Sequence, residues 1–258
     1  MLKLASWNVN SLKIRLDQVL TWLASSAVDI LALQEIKLVD ESFPKEAFIE
    51  CGYEVVYAGQ KTYNGVAIIS RYPLNDVMTD IPSLIDPQRR ILAATIGELR
   101  LINLYVPNGS ELTSEKYRYK LDWLEKVTVF IKEQLLLYPK LAVVGDFNIA
   151  PEDRDVHDPL EWVGQVLVSP QERDAFNTLL NLGLTDSFRH FPQEERLFSW
   201  WDYRAAAFRR NRGLRIDHIL LSEALKALCL QAGIDKEPRK AERPSDHAPV
   251  WVELNDRI

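Results

Sequence analysis

The sequence predicts an α/β fold in four layers, two packed mixed β-sheets flanked by helices, and three observations lead there. Short apolar or β-branched runs that read as strands occur in both halves of the 258-residue chain. Helical patterns occur in both halves too, and no Gly/Ser-rich or charged linker separates them. No fixed repeat period is visible, so a single domain over residues 1–258 is expected.

The first run, Leu2 to Trp7, alternates and ends in the polar Asn8-Val-Asn10-Ser11, as a strand entering a loop does. Gln18 to Ala27, with Val19, Leu20, Trp22 and Leu23, has the spacing of an amphipathic helix. Asp29 to Gln34 is a buried strand that delivers Glu35 at its end. Tyr53–Ala58, Gly65–Ser70, Ile91–Ile96 and Arg100–Val106 continue as a meander of strands with turns such as Tyr72-Pro73-Leu74-Asn75. Ser114 to Leu137 is a long helix, with apolar Leu121, Leu124, Val127, Phe130 and Ile131, stopped by Pro139. Leu141–Val144 is a strand running into Gly145-Asp146-Phe147-Asn148, and Glu172–Leu182 is a helix closed by Gly183. After the loop Phe198–Gly213 come a strand Leu214–Leu221, a short helix from Ser222 and a last strand Pro249–Leu254.

Composition excludes several classes. Hydrophobic residues at 47% and charged residues at 26% exclude whole-chain disorder, collagen and coiled coil. A formal charge of −6 argues against a non-specific nucleic-acid coat protein, although it leaves room for a local basic face. Cys51 and Cys229 stand outside any CxxC or Cys/His cluster, which excludes a disulfide framework and a zinc site. With no signal-like h-region and no spanning apolar run, the expectation is a cytoplasmic protein without membrane contact.

Five places put acidic or amide groups beside apolar strand runs: Asn8, Glu35, Asp146 with Asn148, Asp217, and Asp246 with His247. Such groups are costly near buried strand ends unless they are hydrogen-bonded, paired or metal-bound. Converging at one edge they would form a negative pocket suited to Mg²⁺ or Mn²⁺, because the donors are oxygens and not thiolates. Taken singly, each has a plain structural explanation: Asn8 capping a turn, Asp146 closing a turn after Gly145, Asp217 pairing with Arg215.

Ser6-Trp-Asn-Val-Asn-Ser-Leu12, Leu33-Gln-Glu-Ile-Lys37, Tyr63-Asn-Gly-Val-Ala67, Gly145-Asp-Phe-Asn-Ile-Ala-Pro151, Asn211-Arg-Gly-Leu-Arg-Ile-Asp217 and Ser245-Asp-His-Ala-Pro-Val250 together carry more. This set, in this order, resembles the exonuclease III / AP endonuclease family of the endonuclease/exonuclease/phosphatase superfamily. The resemblance implies a Mg²⁺-dependent DNA-repair phosphodiesterase, with Mn²⁺ as a substitute. Glu35 would be the principal metal ligand, with Asn8, Asp146, Asn148, Asp246 and His247 in the same metal-facing set. Asp146 and Asn148 would flank the attacking water, and Asp217 would hold His247 against the scissile phosphate. Tyr105 matches the family's phosphate-contacting or leaving-group tyrosine, and Asn108 is a lesser candidate.

The segment Phe198 to Arg215 sets five arginines (Arg204, Arg209, Arg210, Arg212, Arg215) against one acid, Asp202, and interleaves five aromatics. That composition suits a nucleic-acid contact surface with a small pocket. By the resemblance, Trp200, Leu214 and Ile216 would wall the pocket for a flipped-out abasic sugar, and Arg90, Arg204, Arg212 and Arg215 would contact DNA. Lys116-Tyr-Arg-Tyr-Lys120 reads instead as a solvated helix face. The implied partner is duplex DNA with abasic sites or blocked 3′ ends, met by a monomer that is nucleoid-associated when acting on DNA. A non-catalytic binding protein on the same fold should have lost Glu35, Asp146, Asn148, Asp217 or His247. A small-molecule phosphoesterase would differ only in the Trp/Arg loop.

Overall fold

Strands that are apolar on both faces must be covered on both sides, and that requirement sets the layers of this protein. The computed structural model describes residues 1–82 and 84–255. In chain order the elements are β1 (Leu2–Asn8), α1 (Leu12–Ser26), β2 (Ile30–Gln34), α2 (Lys45–Glu50), β3 (Glu54–Ala58), β4 (Val66–Ser70), β5 (Asn75–Met78), β6 (Ile91–Ile96), β7 (Leu99–Tyr105), α3 (Glu115–Leu137), β8 (Leu141–Asp146), α4 (Pro170–Leu180), β9 (Leu184–Asp186), β10 (Trp200–Trp201), β11 (Gly213–Leu214), β12 (Asp217–Ser222), α5 (Glu223–Lys226), β13 (Cys229–Ile234) and β14 (Val250–Leu254).

Two six-stranded sheets result, ordered β13-β14-β1-β2-β4-β3 and β5-β6-β7-β8-β12-β9. Each is mixed: β1 with β2 and β7 with β8 run parallel, and their other neighbours are antiparallel. Three cores separate the layers. Leu4, Ile30, Ile68, Leu101, Val144 and Ile219 fill the space between the sheets. Trp7, Trp22, Leu23 and Phe48 seal α1 and α2 onto the first sheet. Trp123, Phe130, Phe176 and Val143 do the same for α3 and α4 on the second. Each fully buried side chain of this size contributes about 1.5–3 kcal/mol. The four-layered sandwich expected from the sequence is therefore the architecture observed.

The differences in detail have physical causes. The strands expected as one meander are split, β3 and β4 lying in one sheet and β6 and β7 in the other, with the unexpected edge strand β5 between them. Helix α1 begins six residues before the expected Gln18. Its first amides are satisfied from outside the helix, Ser11 N–H by Glu35 O and Leu12 N–H by Ile36 O. The strand expected at Leu214–Leu221 is broken at Arg215–Ile216, and β11 pairs with β10 in a small ribbon inside the supposed loop. Helix α4 starts at Pro170 because Ser169 and Glu172 form a capping box. The short or half-exposed α2, β9 and β13 lack a strong apolar period and were not anticipated.

The break at Arg215 reflects a buried charge cluster. Arg215 is 1% exposed and pairs with Asp155 (2.7 Å) and Asp186 (2.8 Å), while Arg189 also bonds Asp155. It therefore lies behind the pocket wall and is not a DNA contact, which corrects the expectation for this residue. Nor does it pair with Asp217. His218, alternating to the outer face of β12 as period two requires, packs on Phe147 and Phe176 and meets Arg215 and Ile149 O.

Burial, then the neighbouring Arg215 charge, hold His218 down at about 4. The unfolded imidazole binds its proton near 6.5, so the unfolded state binds more protons between 6.5 and 4 and stability falls as pH drops through that window. The loss is about 3 kcal/mol by the bottom of the window. We expect denaturant unfolding of a His218→Gln variant to show a flatter pH dependence from 6.5 to 4.5 than the wild type. An unchanged slope would remove His218 as the cause.

Candidate active site

The inward-facing row of each central strand begins apolar and ends polar. Leu2 and Leu4 are followed by Ser6 and Asn8 on β1, Ile30 and Ala32 by Gln34 on β2, and Ala142 and Val144 by Asp146 on β8. On β7 the row runs Leu99, Leu101, Asn103, Tyr105, and on antiparallel β12 Leu221 and Ile219 lead back to Asp217. Register aligns these ends, Tyr105 opposite Asp146 and Asp146 opposite Asp217. The apolar space between the sheets thus becomes a polar site at one edge.

Beneath the site, Gln34 donates to Ser6 Oγ (3.0 Å) and Asn103 Oδ1 (2.8 Å), and Asn103 donates to Leu33 O and Ala67 O. This buried amide network joins the sheets and was missed by sequence reasoning. Gly145 keeps β8 close to β7, since a Cβ there would meet Leu104 O at 1.9 Å and its φ is 142°. Left-handed backbone gathers around the site at Asn10, Ser11, Glu35, Lys37, Asn64, Asn148 and Leu167. Such residues each cost of order 1 kcal/mol or more and persist only where surrounding bonds fix them.

His247 joins the two sheets. Its Nδ1 contacts Asp217 Oδ2 at 2.9 Å and its Nε2 lies 3.8 Å from Asp146 Oδ2. Ser199 donates to Asp217 Oδ2 at 2.7 Å, fixing that carboxylate from behind. Burial alone would lower the His247 imidazole, but the carboxylates of Asp217 and Asp146 reverse this and push it up to about 10. Burial raises the Asp146 carboxyl above its usual range; His247 opposes the rise and Asp217 adds to it. Asp246 also sits among buried groups, yet His247 and hydrogen bonds from Trp200 and Asn10 hold it below the usual carboxylate range.

Asn8 donates from its amide to both Glu35 Oε1 and Asp146 Oδ2 at 2.9 Å, while its own Oδ1 accepts from Asn10 N–H. As placed it bridges the carboxylates and offers no oxygen to an ion, which differs from the expected ligand role. Glu35, Asp146 and His247 are brought together, with ligand atoms within 4.8 Å of one another. Asp246 is not in that group, since its two oxygens are engaged by Asn10 and Trp200. The oxygen-rich, buried and negatively charged surroundings fit a hard divalent cation. Lys37, also unanticipated, contacts Glu35 Oε2 (2.9 Å) and Asn10 Oδ1 (2.6 Å).

Tyr105 is held by Arg90, whose guanidinium lies 4.7 Å from the ring centre and donates to Tyr105 O. Burial, with Glu35 and Asp146 close by, raises the Tyr105 phenol well above its ordinary value, so it stays a donor. Asn148 accepts from Asn108 Nδ2 at 3.2 Å and donates to Val106 O. A cavity of about 320 Å³ is lined by Asp146, Asn148 and His247 together with Trp162, Trp200 and Ile216. Leu214 backs these apolar residues from full burial. A second cleft of about 430 Å³, lined by Gln60, Asn64, Gln88, Arg90 and Lys116, lies across Glu35 and Tyr105.

Residues 5–247 match the model of the Endonuclease/Exonuclease/phosphatase family. The chain belongs to that family. It is 36% identical over 266 residues to exodeoxyribonuclease III of Haemophilus influenzae, covering 98% of this chain and all of the relative. Its fold superposes with a TM-score of 0.97 and 48% identity on a Neisseria 3′ phosphatase, NExo, bound to a product DNA hairpin, covering 98% of this chain and 99% of that one. An AP endonuclease from Archaeoglobus fulgidus gives 0.96 and 38%, covering 99% of this chain and all of the other. As a member of this family the chain is a phosphodiester hydrolase.

Of the expected contact residues of this family member, Arg204 is exposed and pairs with Asp202 two residues before it, and Arg212 is half-buried and held by Glu161. Lys120, placed on a solvated face by the sequence, is instead fully buried.

The His247–Asp217 geometry predicts that in metal-free protein the His247 ring remains doubly protonated past pH 8, visible by ¹⁵N NMR. In Asp217→Asn the ring should titrate at a lower pH. An unshifted titration in that variant would rule out Asp217 as the main source of the imidazolium.

Proposed function

We propose that this chain is a Mg²⁺-dependent DNA-repair phosphodiesterase. It incises 5′ to abasic sites and acts as 3′-phosphodiesterase, 3′-phosphatase and 3′→5′ exonuclease on duplex DNA. The observation that carries the reading is the cavity beside Asp146, Asn148 and His247, whose lining combines these polar groups with the apolar Trp162, Trp200 and Ile216. A small sugar or 3′ end fits such a lining while its phosphate faces the polar groups. The DNA-bound Neisseria relative supports DNA as the polymer.

All these activities break the same P–O3′ bond. Glu35, with Asp146 beside it, would hold Mg²⁺ or Mn²⁺, which supplies charge neutralisation at the phosphate and leaving oxygens. Asn148 and Asp146 orient a water for in-line attack, Asp146 takes the water's proton as the P–O3′ bond breaks, and the departing O3′ takes a proton from solvent. His247, charged and held by Asp217, donates from Nε2 to a non-bridging phosphate oxygen. Tyr105 donates its phenol from the other side, steadied by Arg90, with Asn108 positioning Asn148. Trp200, Leu214 and Ile216 shape the sugar pocket, while Arg204 and Arg212 meet the DNA backbone. The site draws on residues from Asn8 to His247, consistent with one domain acting as a monomer. No helix among the described residues is long and apolar enough to cross a membrane, and a cytoplasmic, nucleoid-associated location completes the reading.

With Mg²⁺ the folded protein should cleave an abasic duplex and release phosphate from a 3′-phosphorylated end, and EDTA should abolish both. Asp146→Asn should lower kcat by about 10²–10⁴-fold while retaining DNA binding. Loss of neither activity on removing the metal, or no cleavage of either substrate, would overturn the proposal.

The arginines should separate by salt titration of DNA binding. Arg204→Ala is expected to reduce the slope of log K against log salt by roughly one. Arg215→Met should leave the slope unchanged and destabilise the fold by about 3–5 kcal/mol, because Asp155 and Asp186 would lose their buried partner.

A further inference from the structure

Lys120 is the one lysine of α3 among its buried residues, and its ammonium is removed from solvent. It donates to three acceptors: Asn148 O at 2.7 Å, Asn108 O at 3.1 Å and a carboxylate oxygen of Glu172. Glu172, equally buried on α4, accepts from Leu167 N–H at 3.0 Å with the same oxygen that meets Lys120. Its other oxygen takes Ser169 N–H (3.0 Å) and Ser169 Oγ (2.6 Å), and Leu167 O accepts from Ala150 N–H at 2.7 Å.

Every segment tied together this way borders the cavity at the active site. Asn148 and Asn108 lie on its polar side, and Leu167 follows Gln165 and Val166 along its wall. Asn148 and Leu167 are both left-handed, at φ 49° and 76°, so neither loop would hold its conformation through backbone preference alone. The Lys120–Glu172 pair supplies the missing constraint at both bends. A buried pair of this kind is rarely the most stabilising filling for a core, and an apolar pair of similar volume often serves as well. Its acceptors here are the backbone carbonyls of site residues, which apolar packing could not hold.

We propose that Lys120, pinned by Glu172, is a positioning residue that sets the Asn108 and Asn148 loops against the Leu167 wall for phosphodiester cleavage. This rests on the phosphodiesterase function proposed above. The ammonium touches no substrate; it acts through the backbone of Asn148, whose side chain lies beside Asp146 and the attacking water. Misplacement of that loop affects the chemical step more than the encounter with DNA, which is made at the exposed rim.

The test is single-turnover cleavage of a 3′-phosphorylated or abasic duplex with Mg²⁺, together with DNA affinity measured in EDTA. Lys120→Met is expected to lower the cleavage rate about 10- to 100-fold while the Kd moves by less than about 3-fold, and Lys120→Arg to recover most of the rate. Phe48→Leu, in the core under the opposite sheet, serves as a control that lowers the melting temperature without moving the rate. A folded Lys120→Met enzyme within about 2-fold of the wild-type rate would overturn the proposal, as would an equal rate loss in Phe48→Leu. If Lys120→Met does not fold, Glu172→Gln must show the same separation of rate from affinity, and its absence counts equally against the role. Wild-type protein that cleaves nothing overturns the phosphodiesterase reading, whereas active wild type with unaffected variants overturns only the positioning role.

Discussion

Carboxylates from both sheets share one small space at the edge of the sandwich, and the remainder of the structure answers to that constraint. Asp146 and Asp217 face each other across the β8–β12 pair, and Glu35 reaches them from β2 of the other sheet. Like charges directly opposite on neighbouring strands are destabilising. Among the described residues the compensation comes from the charged His247 between Asp217 and Asp146, the Asn8 amide between Glu35 and Asp146, and Lys37 on Glu35. These groups neutralise in part, and the negative charge that remains suits a hard divalent cation. The assembly requires the sheets to be locked at a fixed offset, which the Gln34–Asn103 bond and the Asn103 bonds to Leu33 O and Ala67 O provide.

Much of this was legible in the sequence because the site obeys the same period as the core. A row such as Ala142, Val144, Asp146 reads as a strand whose last inward position has turned polar, and the same holds for Ile219 and Asp217. Alternation also placed His218 on the face opposite Asp217. Its limits are equally physical. Arg215 has the composition of a phosphate contact, but its fate was decided by Asp155 and Asp186, which lie 60 and 29 residues away in the chain and leave no periodic trace. Lys120 looked like one of several basic residues on a helix surface, and only the packing of α4 against α3 shows that it is enclosed. The apolar neighbours Tyr117, Leu121 and Leu124 were the available hint, since Lys120 falls within their stripe at helical spacing.

The strained positions lie where the chain turns out of the strands that carry the site, and hydrogen bonds from other segments hold them. Glu35 and Lys37 turn the chain out of β2, with Ile36 N–H and Lys37 N–H caught by Gly65 O and Asn64 O. Asn148 turns it out of β8 and Leu167 bends the facing wall. Leu167 O accepts from Ala150 N–H in the Asn148 loop, so these two bends are held together, whereas Glu35 and Lys37 are held by the segments at Ser11 and Asn64. Tyr105 needs no such device: it ends a regular strand, and Arg90 on the adjoining loop fixes it by stacking and by two hydrogen bonds, one from its guanidinium to Tyr105 O and one from Tyr105 N–H to its own carbonyl.

The net charge of −6 follows from the same division of labour. At the carboxylates themselves the cations are already engaged, Lys37 with Glu35 and Asn10 and His247 with Asp217. The arginines nearest the centre are likewise engaged: Arg90 with Tyr105 and Gln88, Arg215 with Asp155 and Asp186. Positive charge available to a polyanion is displaced outward to the rim, where Arg204 is paired with one exposed acid at the surface. In the proposed reaction, phosphate recognition at the centre rests on the His247 imidazolium and a cation held by Glu35 and Asp146, and attachment along the DNA rests on the outer arginines. Because the two are separated in space, changes in salt should act on attachment while changes in metal or in His247 act on the chemical step.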